Sequence, residues 1–230
     1  MKKILFKKNM IWATLEGLKT KTRRIISDEF VQKYADDFKE IYPQPNGEFF
    51  FPDPYYYDPK VNFNIGRWIM PKYKRGETVY VGEPFIKLEP NHIINNIRYY
   101  YKYDKNYTKT SEDSRQEYLK LGYPYKWGSP LFMPEVAARI FLKIKNVGVE
   151  RIQDISEEDC LKEGIKIPIE WDLSDDFPEE LTDFSTMKRI PKIKFAFKHL
   201  WDSINLKRGY PWCDNPYVFV YEYEIERIVK

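Results

Sequence analysis

The sequence predicts a mainly β protein with flanking helices, an α+β chain built around a small β-barrel. Three observations carry this expectation. Apolar and polar residues alternate in several runs of strand length, led by Ala138–Val149 and Tyr217–Ile228. Helical periodicity is confined to a few short stretches, so strands outnumber helices. Aromatic residues make up 17% of the chain, with clusters at Tyr55-Tyr56-Tyr57 and Tyr99-Tyr100-Tyr101. Such residues fill strands and fasten long loops to a barrel, and base stacking is a second use for them.

Taken in order, Lys2–Phe6 reads as a short strand. Asn9 is expected to cap a helix through Met10, Ile11 and Leu15 that Gly17 ends. Leu18–Lys21 is then a tight connection into a strand-like run, Thr22–Ile26. Residues 35–65 are rich in Pro, Asn, Asp and aromatics without periodicity, and read as a long ordered insertion. A turn at Lys74–Glu77 leads into a barrel strand, Thr78–Glu83, and Tyr99–Tyr103 is a further strand inside a rim excursion over 89–127. In the run after Ala138, Ile140, Leu142 and Ile144 alternate with Arg139, Phe141 and Lys143, so parity turns Arg139 away from the core, toward a cleft or an insertion. Ser156 with an acid three residues later resembles a capping box, closed by Gly164. After an acidic insertion at 167–192, Phe195, Phe197, Leu200, Trp201 and Ile204 mark one amphipathic helix.

A length of 230 residues and 43% hydrophobic content fit one domain, 1–230, carrying these three insertions. No stretch reaches the roughly 18 apolar residues of a membrane span, and Met-Lys-Lys-Ile leads into charged residues, so a soluble cytoplasmic protein is expected. Cys160 and Cys213 stand apart with no CxxC neighbourhood, and His92 and His199 lack metal-ligand spacing. Neither a metal nor a cofactor is therefore expected, and no phosphate-binding glycine loop is present. A net charge of +3 is too small for wrapping duplex DNA, so any nucleic-acid contact should be local.

The chemistry concentrates in Glu16-Gly17-Leu18-Lys19-Thr20-Lys21-Thr22-Arg23-Arg24, directly after the first helix. Composition alone reads this run as a solvated basic turn. As a site, Lys19 and Thr22 would share a cleft, with an arginine to hold an oxyanion or phosphate.

Gly17-Leu18-Lys19-Thr20-Lys21-Thr22-Arg23-Arg24 resembles the GxKxxTxR signature of ASCH domains, which belong to the PUA-like β-barrel superfamily. Arg75–Glu83 resembles the barrel strand that follows it in the family, and Met133-Pro134-Glu135-Val136-Ala137-Ala138-Arg139 resembles the MPxxASR stretch of long phage-associated members. Gln153–Ile165, Leu200–Asn205 and Trp212–Pro216 continue the same order, leaving only the insertions unmatched.

The resemblance implies a protein that handles a nucleobase, nucleoside or nucleic acid. Small bacterial relatives of such a core are 4-acetylcytidine amidohydrolases, which implies catalytic roles for Lys19, Thr22 and Glu163. In that reading Lys19 lowers its pKa by partial burial and takes the proton of Thr22, and Glu163 orients the base or shuttles a proton to the leaving amine. Arg23, Arg24, Glu83 and Arg139 would contact the substrate, and Arg23, Arg24 or Arg139 would stabilise the developing oxyanion. The alternative is a non-catalytic RNA- or DNA-binding module that reads a modified base; an interaction factor carried by a mobile element is a third. Lys19→Ala should then abolish hydrolysis while changing stability by less than about 0.5 kcal/mol, because a lysine on a turn after a helix supports little core packing.

Overall fold

The computed structural model describes residues 1–34, 40–58, 63–88, 98–102, 127–166, 180–183, 185 and 188–229. Its strands are β1 (Lys2–Leu5), β2 (Lys21–Ile25), β3 (Tyr42–Pro43), β4 (Phe49–Asp58), β5 (Phe63–Ile69), β6 (Thr78–Gly82), β7 (Phe85–Leu88), β8 (Arg98–Tyr101), β9 (Ile140–Arg151), β10 (Glu180–Asp183), β11 (Lys188–Pro191) and β12 (Tyr217–Ile228). The α-helices are α1 (Lys8–Leu15), α2 (Glu29–Lys33), α3 (Glu157–Lys162) and α4 (Lys192–Asn205). The fold is mixed α/β and dominated by strands. Its main sheet has the order β1-β6-β9-β12-β2, and among the described residues it does not close into a barrel. No helix among these residues is long and apolar enough to cross a membrane.

The two long strands, β9 and β12, are neighbours in this sheet. Backbone bonds from Ile152 to Pro216 and from Val229 to Arg139 bracket them at opposite ends, the same number of residues apart on both strands, so their register does not slip.

Contacts divide the chain into two compact units, both built from separated stretches of sequence. The first comprises Met1–Gly17, Thr78–Lys143 and Ile225–Lys230, and the second comprises Leu18–Glu77 and Ile144–Glu224. In the first unit β1 runs parallel to β6, and β6 pairs antiparallel with the start of β9. Tyr80, Met133, Ala137, Ala138 and Phe141 form its core cluster, with Phe85, Tyr99 and Tyr101 packed against it. Tyr99 and Tyr101 thus serve as packing; the side chains of Tyr56, Tyr57 and Tyr100 lie outside the described residues.

In the second unit β12 pairs antiparallel with β2, setting Tyr221 opposite Thr22 and Val220 opposite Arg23. Its core gathers Ile152, Ile155, Cys160, Phe197, Trp201, Trp212 and Val218, so α3 and the apolar stripe of α4 are buried together. Burial pushes the Cys160 thiol up to about 12, which leaves it an inert packing group.

Two expectations need correction. Helix α1 starts two residues earlier than foreseen: Lys7 occupies the N-cap with no side-chain bond and Asn9 lies within the first turn, although Gly17 at φ +74° ends the helix as expected. The ordered insertion at 35–65, expected to hold no core element, contains β3, β4 and β5 as a three-stranded antiparallel sheet with Phe49, Phe50 and Phe51 buried. Residues 35–39 and 59–62 of that insertion, and most of the 89–127 and 167–192 insertions, lie outside the described residues.

The run Phe49-Phe50-Phe51 hides its alternation because it is apolar on both faces. Phe49 and Phe51 meet Phe219 and Tyr217, with ring centroids 5.8 and 5.9 Å apart, while Phe50 lies 4.6 Å from Trp68. Gly66 makes room on β5: a Cβ there would lie 2.2 Å from the Phe51 carbonyl oxygen and 2.8 Å from the Phe50 ring. Backbone on that side cannot yield without breaking the ladder, so Gly66→Ala is expected to cost about 1–3 kcal/mol. A lowered urea midpoint would show it.

Candidate functional site

The site lies within the second unit and begins with the way α3 stops. Ser156 caps its start, its Oγ accepting from the Asp159 amide at 3.0 Å. At the other end Gly164, at φ +80°, donates to the Leu161 carbonyl, and Ile165 donates to Cys160, the paired bonds of a Schellman ending. Glu163 is therefore the C-cap residue, and its carbonyl is one of those the helix leaves without an internal partner.

The connection between α1 and β2 supplies what this helix end lacks. The Thr20 amide donates to Lys162 O at 2.8 Å and the Thr20 carbonyl accepts from Tyr223 at 2.9 Å, which holds the connection between α3 and β12. The Lys19 ammonium then donates to the Glu163 carbonyl at 2.9 Å, to Glu163 Oε2 at 2.6 Å and to the Lys21 carbonyl at 2.7 Å. A cation at a helix C-terminus also meets the negative end of the helix dipole. Lys19 is 1% exposed and Glu163 2%, so the reading of Lys19 as part of a solvated basic turn is overturned.

Strand β2 extends the network. Arg23 reaches Glu150 at 2.6 Å, Asp159 at 2.6 Å and Glu163 at 3.2 Å, and Lys21 reaches Asp159 at 2.7 Å. The Asp159 carboxylate is thus directed at two cations rather than back to the Ser156 amide, and only half of the foreseen capping box forms.

Burial pulls the Lys19 pKa down; the charge and hydrogen bond of Glu163 oppose this, Arg24 and Arg23 add to it, and the net direction is downward. Burial likewise raises Glu150, and Arg23 only partly counters it. For Asp159, burial acts upward but the bonds from Lys21 and Arg23 outweigh it and hold the carboxyl below its ordinary value. Arg23 loses to burial but gains more from its carboxylates, which raises it.

The other residues singled out from sequence divide into two groups. Lys21 and Arg23 share one face of β2, so alternation carries Thr22 and Arg24 to the opposite face, on the side of Tyr221. Thr22 is buried there, one peptide unit from the carbonyl that Lys19 grips. Arg24 is close enough to Tyr73 and Tyr221 to act on their ionisation.

Glu83 and Arg139 belong to the first unit and hold each other. Arg139 Nε and Nη2 donate to the two oxygens of Glu83 at 2.7 and 2.9 Å, and the guanidinium lies 4.5 Å from the centre of the Tyr101 ring. Glu83 is fully buried and Arg139 is 7% exposed, so Arg139 forms an internal bidentate pair while its guanidinium meets Tyr101 of the 89–127 insertion, one of the two aims expected for it. The sequence reading missed Asp159 and Glu150. Asp159 was legible only as a helix cap, and Glu150 carried no signal beyond its place on a strand.

No protein-family model matches the chain, and neither curated proteins nor solved structures give a match.

Two outcomes follow from the burial and the charges. Lys19→Ala would leave Glu163 with Arg23 alone and strip the helix end of its donor. It is expected to destabilise by about 3 kcal/mol, in place of the 0.5 kcal/mol of a surface turn, measured by urea unfolding. Because Asp159 titrates lower in the folded state than unfolded, the stability it provides is present above its ordinary value of 3.8 and is lost as pH falls through and below it. Asp159→Asn should melt lower than wild type near neutral pH, with the gap closing toward about pH 3; thermal melts across that range measure it.

Proposed function

We propose that the chain is an ASCH-type protein of PUA-like architecture that handles a nucleobase or nucleoside, with amide hydrolysis of an acylated cytidine as its reaction. One observation carries this reading. Lys19 and Glu163, which the resemblance pairs in a single centre, are 144 positions apart and meet at 2.6 Å.

In the reaction, the Thr22 hydroxyl adds to the acyl carbonyl and its proton passes to Lys19 once the lysine has given up its own; burial shifts Lys19 in that direction and Glu163 opposes it. The tetrahedral adduct collapses as Glu163 relays the proton taken up by Lys19 to the departing cytosine amine. Water then hydrolyses the acyl-threonine ester, which releases the acid and restores the hydroxyl. The alternation of β2 requires the acyl group to approach from the Tyr221 side.

A specific observation favours a second reading, recognition without turnover. Lys19 makes three hydrogen bonds within the network, and Arg23 is shared among three carboxylates, so these charges satisfy one another. In that reading the network is a framework that shapes a neighbouring surface.

Incubation with 4-acetylcytidine, other acylated nucleosides and short RNAs, followed by mass spectrometry of the products, separates the two. Thr22→Val keeps the shape of a buried strand residue but removes the hydroxyl. It should lower turnover by at least about 10²-fold, in the range of losing a catalytic group, while the protein still melts cooperatively. Full turnover by this variant would remove the threonine route. Retention of ligand without turnover would establish the second reading, and neither retention nor turnover would end both.

A further inference from the structure

Thr22 on β2 stands directly opposite Tyr221 on β12. The bonds from Ile26 to the Tyr217 carbonyl and from Tyr223 to the Thr20 carbonyl set the phase of this ladder. Every second pair between them, Tyr221 with Thr22 included, is therefore of the hydrogen-bonded kind, with Cα atoms about 5.5 Å apart and both side chains on one face. Tyr221 is 1% exposed and Thr22 3%, so both are shielded from bulk water.

The Tyr221 hydroxyl is fixed by the backbone that follows β5. Its oxygen accepts from the Lys72 amide at 3.1 Å and from the adjacent Tyr73 amide, and the Tyr73 ring meets the Tyr221 ring edge-on with centroids 5.1 Å apart. With two amides on the oxygen, the hydroxyl hydrogen is left to point elsewhere. Among the described residues it meets no acceptor, although a buried donor without one is costly. Burial is the main influence on this phenol and raises its pKa, so the proton stays on. The amides that bond to the oxygen also polarise the O–H and strengthen whatever bond it donates.

We propose that Tyr221 is a further catalytic residue, whose hydroxyl donates to the oxygen of the acyl group while Thr22 attacks its carbon. This role rests on the hydrolysis reading above. As the bond from Thr22 Oγ to the carbon forms, the carbonyl π pair moves onto the oxygen, and a fixed donor in a water-free setting stabilises that charge. Tyr221 keeps its proton throughout: the Thr22 proton goes to Lys19, and collapse returns the electron pair to the carbonyl as the cytosine amine leaves. Arg23 cannot take this part, since it lies on the other face of β2 and is shared among three carboxylates. Arg24, two residues along the Thr22 face, adds positive charge near the phenol.

The test is steady-state hydrolysis of 4-acetylcytidine by the full chain. Tyr221→Phe keeps the ring and removes the donor, so kcat should fall by about 10²–10³-fold, the effect of one lost oxyanion donor, with KM within about threefold of wild type. The same change takes the acceptor from the Lys72 and Tyr73 amides and is expected to lower the melt, so a second protein separates donation from folding. A fluorinated tyrosine placed at Tyr221 keeps the hydroxyl and its acceptor role but is more acidic. A donor works only while protonated and is lost as pH rises through the phenol pKa, so fluorination should bring an alkaline fall in kcat to lower pH. A packing role would leave that profile where it was. If Tyr221→Phe does not fold, the fluorinated protein decides alone. Wild-type turnover with kcat retained in Tyr221→Phe, or with a pH profile unmoved by fluorination, would overturn the role of Tyr221 and leave the Thr22 route standing. No turnover by wild type would overturn both.

Discussion

A lysine and a glutamate with almost no contact with water, whose side chains are 0% and 3% exposed, hold the second unit in register. Removing two charges from water costs several kcal/mol per ion, and such a pair persists only when every remaining donor and acceptor finds a partner. Here the surplus donors of Lys19 go to two backbone carbonyls, one of them at the open end of α3, while the second oxygen of Glu163 takes Arg23. The pair is therefore also a helix cap, a link between the α1–β2 connection and α3, and an anchor for β2. Shifting β2 by one residue would exchange its faces, leaving Arg23 away from its carboxylates and Thr22 among them.

The same completeness sets a condition on chemistry. A network whose charges are mutually satisfied is well placed to fix geometry and poorly placed to release a donor or acceptor to a substrate. Burial and Glu163 act in opposite directions on Lys19, so whatever alters the carboxylate alters the proton affinity of the lysine. Arg23 binds Asp159 of α3 and Glu163 at the C-cap of that helix, and adds Glu150 from β9. A change at any one of these positions would be felt at the others, and independent additive effects are not expected inside this group.

Much of this was legible in the sequence, for reasons that differ by residue. The period-two pattern marked β12 because each strand face has a consistent character, and Ser156 and Gly164 marked the ends of α3 because caps have strong residue preferences. The meeting of Lys19 with Glu163 came from motif resemblance, since no local rule joins residues so far apart. Burial was not legible: a Lys-Thr-Lys-Thr-Arg-Arg run looks solvated until the carboxylates that neutralise it are in place. The strands around Phe49–Phe51 were hidden because prolines and a two-sided apolar run imitate a loop. The division into two units was hidden as well, because the units interleave along the chain and any sliding window averages them.

That interleaving has a consequence for how the protein comes to exist on the ribosome. The first unit draws on Met1–Gly17 and on Ile225–Lys230, and β2 finds its antiparallel partner only in β12. Strand β1 finds β6 early, whereas β2 must wait, unpaired, until β12 has been synthesised. During elongation at about 5–20 residues per second, Lys19 and Arg23 remain hydrated until α3 emerges with Glu163 and Asp159. Neither unit can finish as a nascent domain until β12 has emerged, because residues of that strand belong to both. Such long-range closure is slow by nature, and it places the exposed aromatic strands of the incomplete chain within the period when chaperones have most to do.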